Sequence, residues 1–226
     1  MDKKKLLELT KKSFYAVFYT MLFALLISFL CSFIVNDNQL RRILIIEVII
    51  TGISSFMYFL FTNNISKYFN SENKEKKDID LSEVNKLRYN GWMFTTPLML
   101  IALCLVLQSS TNIPINPIML LTILMLDYIM LIIGFLGEVN VINRFIAMIL
   151  GFIPFFIIFY LIFSAFMLNT INPFNYLIFG IYFVIWAGYG VSYIFEDKIK
   201  NILMNIFDCI SKALVAIILS FSYIPW

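Results

Sequence analysis

The chain has 226 residues, 61% of them hydrophobic and 14% charged, with a formal net charge of +3 and no histidine. An ordinary soluble domain is about 25% charged, so the apolar surplus here exceeds what one soluble core can hide, and lipid must be the solvent for most of it. The small net charge, with lysines set beside acidic residues, suits lipid head groups better than nucleic acid. Without histidine, a cysteine cluster or a glycine-rich phosphate loop, the sequence gives no support to zinc chemistry, histidine-dependent acyl transfer or nucleotide hydrolysis.

A helix needs about 20 apolar residues to cross a hydrocarbon core of roughly 30 Å. Seven runs meet that need, at 13–35, 42–63, 90–108, 117–136, 142–168, 174–195 and 199–223. Backbone in lipid must satisfy its own hydrogen bonds, and these runs are too long and too uniformly apolar for barrel strands. The expected fold is an all-α membrane protein, one seven-transmembrane-helix bundle over residues 1–226. Residues 1–12, with Lys3, Lys4, Lys5, Lys11 and Lys12, resemble the charged start of a signal peptide. The run behind them is longer than the 7–15 residues of such a peptide and no small-x-small site follows, so a mature helix behind an amphipathic lead is expected. Cys31, Cys104 and Cys209 fall inside apolar runs, where cysteine serves as a small packing residue.

An ionisable side chain at mid-bilayer costs about 2.5–3.5 kcal/mol or more unless paired, which makes such residues functional candidates. Here they are Glu47, Asp127, Asp208 and Lys212, with Arg88 at the entrance to the third run. Asp208 and Lys212 stand four apart and share one helical face. Two readings are open: a buried ion pair pinning helices, or a desolvated amine able to condense with a carbonyl compound.

The third run reads Arg88-Tyr89-Asn90-Gly91-Trp92-Met93-Phe94-Thr95-Thr96-Pro97-Leu98. It resembles the R-Y-x-D-W-x-F-T-T-P-L signature of the microbial (type 1) rhodopsins everywhere except at the aspartate. Asp208-x-x-x-Lys212 resembles that family's counterion and retinal lysine. Phe56-Met57-Tyr58, Asp127-Tyr128-Ile129-Met130, Asn143-Arg144-Phe145 and Trp186-Ala187-Gly188-Tyr189-Gly190 extend the likeness over most of the chain, Gly190 standing where the family has proline.

The resemblance implies an all-trans retinal cofactor held as a Schiff base on Lys212, with Asp208 as its counterion. It implies that Trp92, Thr96, Met99, Met130, Gly134, Gly151, Phe155, Trp186 and Tyr189 flank the polyene, with Gly151 and Phe155 beside its ring. It further implies a hydrogen bond from Tyr58 to Asp208, a Thr96–Asp127 pair, and an N-terminus on the outer side. A polyene needs a narrow dry slot with flat walls, which aromatic rings can supply.

Two departures shape the expected mechanism. The positions of the family's proton acceptor and donor are Gly91 and Ala102, neither of which carries a proton. A charged imine beside Arg88 would leave two cations against one Asp208 carboxylate, so conventional proton pumping is not expected. Asn201 and Asn205 fall on the stripe of Asp208, and Glu47 faces the same interior if Tyr58 does. Such a seam can replace an ion's hydration shell or serve interhelical hydrogen bonding. The stripe, the lysine-rich lead and the short connection Glu196–Lys200 are similar to viral rhodopsins that act as light-gated cation channels. The lost acid at Gly91 keeps an anion channel open as an alternative, and a non-transporting sensor is a third. Expected partners are the lipid bilayer, retinal and small inorganic ions, with homo-oligomer formation undetermined.

Overall fold

In a computed structural model, which describes residues 3–70, 80–168 and 172–224, all regular structure is helical. The helices are α1 (Lys3–Ile34), α2 (Asn38–Asn70), α3 (Ser82–Thr111), α4 (Pro117–Glu138), α5 (Arg144–Phe166), α6 (Pro173–Ser192) and α7 (Asp197–Tyr223). All seven are long and apolar enough to cross a bilayer. Each packs against the next in sequence, and α7 returns to α1 and α2, closing a ring. Helix α3 also meets α5 and α6, and it is the most deeply covered of the seven.

Local sequence explains the helix starts. Asn116, Asn143 and Asn172 each accept a hydrogen bond from a backbone N–H of the first turn, and Pro117 and Pro173 occupy first-turn positions, where a missing N–H costs nothing. Pro97 interrupts the ladder inside α3, and just before it the hydroxyls of Thr95 and Thr96 donate to the carbonyls of Gly91 and Trp92. Helix α7 changes winding midway: Asp197–Asp208 is α-helical, Cys209–Leu214 forms a π-helical turn, and Val215–Tyr223 is α-helical again. Lys212 sits in that π turn.

Large apolar side chains face outward along the spans, among them Phe33, Ile118, Ile153 and Val184, as lipid solvation requires. The three cysteines are free, Cys31 and Cys104 buried in packed helices.

Three sequence expectations are corrected. The lysine-rich lead is no separate segment, because α1 runs unbroken from Lys3 and already buries Thr10. Helix α3 begins at Ser82 rather than 90, so Arg88 is an interior residue with 2% exposure and not an entrance residue; burial of Val84 and Asn85 draws these extra turns into the bundle. The 64–88 connection shrinks accordingly, and its lysines 74, 76 and 77 lie outside the described residues. The connection read as Glu196–Lys200 is shorter, since α7 begins at Asp197 and Lys200 lies within it, as the expected span 199–223 already had it.

That last shift discloses an ionic lock at one end of the bundle. Lys200, fully buried, lies 3.0 Å from Glu138 and 2.8 Å from Asp197, while Arg144 reaches the same two carboxylates at 3.2 and 3.3 Å. Asn85 donates to Glu138 at 2.8 Å, and Tyr193 donates to the Gly134 carbonyl. Burial holds the Tyr193 phenol above its ordinary range, so it stays a neutral donor. Breaking a buried pair by removing one partner costs about 3–5 kcal/mol, whereas apolar replacement of both can be nearly neutral. Lys200→Met is therefore expected to lower the thermal midpoint of the detergent-solubilised protein, and Lys200→Met with Glu138→Met to recover most of it. Circular dichroism melts of the three proteins check this, and equal midpoints for the single variant and wild type would contradict it.

Candidate functional site

A cavity of about 120 Å3 lies inside the bundle. Helix α3 contributes Trp92, Thr96 and Met99, α4 contributes Met130 and Gly134, α5 contributes Gly151 and Phe155, and α6 contributes Trp186 and Tyr189. Among the described residues, Lys212 of α7 is the one amine on its wall. Every residue that the sequence reading placed along the polyene lines this space, except Asp208, which meets Lys212 just beyond it. The walls are flat where rings meet: Trp92 sits edge-on to Tyr189 at 5.3 Å and Trp186 to Phe159 at 5.9 Å between centroids.

The sequence reading missed Tyr89, Met148, Phe152, Gly190, Tyr193 and Met204 as wall residues. Gly134 explains Tyr89: a Cβ there would lie 2.8 Å from the Tyr89 hydroxyl, so the glycine makes room for the ring. Gly190 likewise leaves room for Phe152. Small residues on one helix opposite large ones on its neighbour were the available signal.

Beside the cavity, one carboxylate gathers four donors. Asp208 Oδ1 accepts from Lys212 at 2.5 Å and from the Tyr189 hydroxyl at 2.8 Å; Oδ2 accepts from Arg88 at 2.7 Å and from the Tyr58 hydroxyl at 2.8 Å. Four helices thus converge on one side chain that is 1% exposed. Arg88 is held further by the side-chain oxygens of Asn201 and Asn205, at 3.0 and 2.7 Å, and its guanidinium lies among the rings of Phe14, Tyr58 and Phe61. Asn201 also donates to Asn85, and Asn205 donates to Ser13 of α1. Ser13 and Asn85 escaped the sequence reading because neither lies in a marked motif.

Two further residues fall where expected and one does not join them. Thr96 donates to Asp127 at 2.8 Å, linking α3 to α4 behind the cavity. Glu47 is buried, but it does not share a seam with Asn201 and Asn205. It lies within electrostatic reach of Tyr182 and Tyr223, and Tyr223 is 22 positions beyond Asn201, about 33 Å along a helix at 1.5 Å per residue. Glu47 and Tyr58 do share a face of α2, eleven positions apart, yet that separation carries them to opposite sides of Lys212. One oxygen of Glu47 has no hydrogen-bond partner among the described residues.

The absent acid at 91 has a physical counterpart. A Cβ on Gly91 would lie 2.9 Å from Met57 Cγ, so methionine occupies the volume a side chain there would need. Met57, Gly91, Ser54, Thr95, Asp208 and Lys212 share a small cavity of about 10 Å3, room for roughly one water. Ala102 is fully buried within an apolar cluster.

Residues 8–224 match the family model of bacteriorhodopsin-like proteins, and the chain belongs to that family of microbial rhodopsins. Among solved structures, the viral rhodopsin OLPVRII is similar at 31% identity and a TM-score of 0.84, covering 95% of this chain and 97% of that one. Xanthorhodopsin, a light-driven ion pump with dual chromophore, is 17% identical with a TM-score of 0.76 over 96% and 92% of the two chains. The proton-pumping rhodopsin AR2 from the marine alga Acetabularia acetabulum is 19% identical with a TM-score of 0.72 over 95% and 94%; these two likenesses are of fold. No curated protein sequence matches. As a rhodopsin, the protein is an integral multi-pass membrane protein that binds retinal through a Schiff base to lysine. An apolar, ring-walled cavity with a single amine on its wall fits that group.

The Met57–Gly91 pairing generates a test. Gly91→Asp alone forces Met57 to move and is expected to give less pigment than Met57→Ala with Gly91→Asp. The double variant is expected to absorb at shorter wavelength than Met57→Ala, because a second carboxylate stabilises the positive charge of the linked nitrogen. Absorption spectra of the purified proteins decide; identical bands for Met57→Ala and the double variant would show that position 91 does not face the nitrogen.

Proposed function

We propose that the protein is a light-gated ion channel, cation-conducting, that does not pump protons by the conventional relay. The observation that carries this reading is the pair of vacated carboxyl positions, Gly91 filled by Met57 and Ala102 sealed in apolar packing. Neither can accept or return a proton.

Held on Lys212 through a linked nitrogen, retinal would supply light-driven isomerisation. Asp208 balances that nitrogen's charge, and Tyr58 and Tyr189 fix the carboxylate's orientation from two sides. Arg88 ties the same carboxylate to Asn201 and Asn205. A change in how Asp208 shares its charge between Lys212 and Arg88 loosens the guanidinium and releases two carboxamide oxygens. Those oxygens, with Glu138 and Asp197 nearer one end and Glu47 toward the other, offer a cation successive partial replacements for its water shell. The carboxamides are engaged in hydrogen bonds in the resting arrangement, which suits a closed state.

An anion channel is the second reading, favoured by a local balance of two cations, Arg88 and Lys212, against Asp208 alone. Voltage-clamp recording under illumination separates the two. A photocurrent whose reversal potential follows Na+ or K+ is expected, with no photocurrent from Lys212→Ala, since only an amine forms the imine. Reversal following Cl− would establish the anion reading, and absence of photocurrent in correctly inserted wild type would contradict both and leave a sensor.

A further inference from the structure

Lysine and arginine are divided unevenly between the two ends of the bundle. Of the 17 in the sequence, Arg88 and Lys212 lie inside, and Arg41 and Arg42 belong to the end where α2 begins. All the others belong to the opposite end, where α1, α3, α5 and α7 begin, Lys74, Lys76 and Lys77 by their place in the sequence alone. The connections at the sparse end, 35–37, 112–116 and 167–172, contain neither residue type. Arg41 is moreover committed locally, donating from Nε and Nη2 to the Val35 carbonyl at 3.1 and 2.6 Å. At the rich end Lys5, Lys12, Lys67 and Lys86 stand exposed. Helix length points the same way. Helices α1, α2 and α3 have 32, 33 and 30 residues, about 45–50 Å at 1.5 Å per residue against a hydrocarbon core of about 30 Å, whereas α4, α5 and α6 have 22, 23 and 20. At the sparse end exposed apolar side chains run up to the helix termini, with Phe33 and Ile34 on α1 and Ile118 on α4, so the excess length emerges at the lysine end. There Lys11 lies over the Phe69 ring at 4.4 Å, tying α1 to α2 in the projecting part. Lys86 precedes Thr96 of the cavity wall by ten positions, about 15 Å along the helix and half the core thickness, which puts it at head-group level.

We propose that this lysine-bearing end is the cytoplasmic face, seated on the anionic head groups of the inner leaflet, so that α1 begins inside the cell and the bundle is inserted opposite to the orientation that the family resemblance implies. Lysine and arginine near the ends of spans are retained on the cytoplasmic side, and the bias grows with their number. The inner leaflet carries the negative lipids, and lysine stems lie along apolar surface while their ammonium groups reach the phosphates. Glu8 and Glu83 pair with Lys12 and Lys86 at 2.9 and 3.1 Å on exposed faces, but acidic residues contribute little to orientation and exposed pairs bind weakly. The polar half of the interior, with Arg88, Glu138 and Lys200, then opens toward the cytoplasm, and the half containing Glu47 toward the outside. The inference stands on helix ends and charge, and it does not depend on whether the protein conducts ions.

Thiol labelling with a membrane-impermeant maleimide on intact and on permeabilised cells reads the orientation. Asn36→Cys and Gln39→Cys mark the sparse end, Asp80→Cys and Glu83→Cys the lysine end; two positions at each end keep the result readable if one variant fails to fold, and wild type, with Cys31 and Cys104 buried, gives the background. The Asn36 and Gln39 variants are expected to label on intact cells, and the Asp80 and Glu83 variants to gain at least about tenfold on permeabilisation. The reverse pattern overturns the proposal, and so does labelling of both ends on intact cells, which marks mixed insertion. The lipid contact is read separately, from the ratio of phosphatidylserine to phosphatidylcholine that copurifies with the full chain from mixed vesicles of the two. Replacing Lys5, Lys12, Lys67 and Lys86 together by Gln is expected to lower that ratio by at least about threefold, and 0.5 M salt to lower it for wild type. An unchanged ratio in the quadruple variant overturns the seating on anionic lipid even where the labelling pattern holds.

Discussion

The Asp208 carboxylate is the constraint on which the rest of this protein depends. Removing a carboxylate from water costs several kcal/mol even after relaxation, and its attraction for a cation offsets that only when its lone pairs are all engaged. Here they are, by Lys212, Tyr189, Arg88 and Tyr58, which come from α7, α6, α3 and α2. Arg88 in turn needs the carboxamides of Asn201 and Asn205, and Asn205 needs Ser13 of α1. Helix order and bundle closure thus serve one charge and the two cations it must balance.

Lipid as solvent accounts for the surroundings. A bundle that cannot expose polar side chains to hydrocarbon concentrates them inward, and α7, with Lys200, Asn201, Asn205, Asp208 and Lys212 among them, carries the largest share of buried ones. The result is an asymmetric interior. The half containing Arg88 is a dense polar network extending to the Glu138–Lys200 lock, while the half containing Ala102 is largely apolar, with Glu47 as a buried acid having one oxygen unpartnered among the described residues. The retinal cavity lies between these halves with Lys212 on its wall. A charge rearrangement at Lys212 is felt at once by the polar half and finds Gly91 and Ala102, not acids, along α3 toward the other.

Much of this was legible in the residues. Hydropathy located seven spans because lipid demands long apolar runs, and the Trp92-to-Leu98 and Asp208-to-Lys212 patterns located the cavity and its amine. Span ends were harder. Arg88 read as an entrance residue, and Lys200 fell both in the connection and at the start of the seventh span, because charge suggests water, yet both are buried and paired. Hydropathy records cost and not the partner that offsets it, and the partner Glu138 lies on another helix. The seam uniting Glu47 with Asn201 and Asn205 failed for a related reason: shared helical face says nothing about depth. Met57 was quoted only as part of the second-helix motif, since the space it fills exists through the absence of a side chain at Gly91.

The claim that Asp208 alone balances the linked nitrogen is tested most directly by the absorption spectrum of Asp208→Asn at neutral pH, recorded without chloride and then with it. With the carboxylate gone and Met57 in the place of a second acid, the charged form of the nitrogen loses its stabilisation. The account predicts a near-ultraviolet pigment in both conditions. A visible band retained without chloride would contradict it by requiring another protein carboxylate, with Glu47 acting through water the first to examine; a visible band appearing only with chloride would show that an anion can enter beside Gly91 and that Met57 does not hold that space.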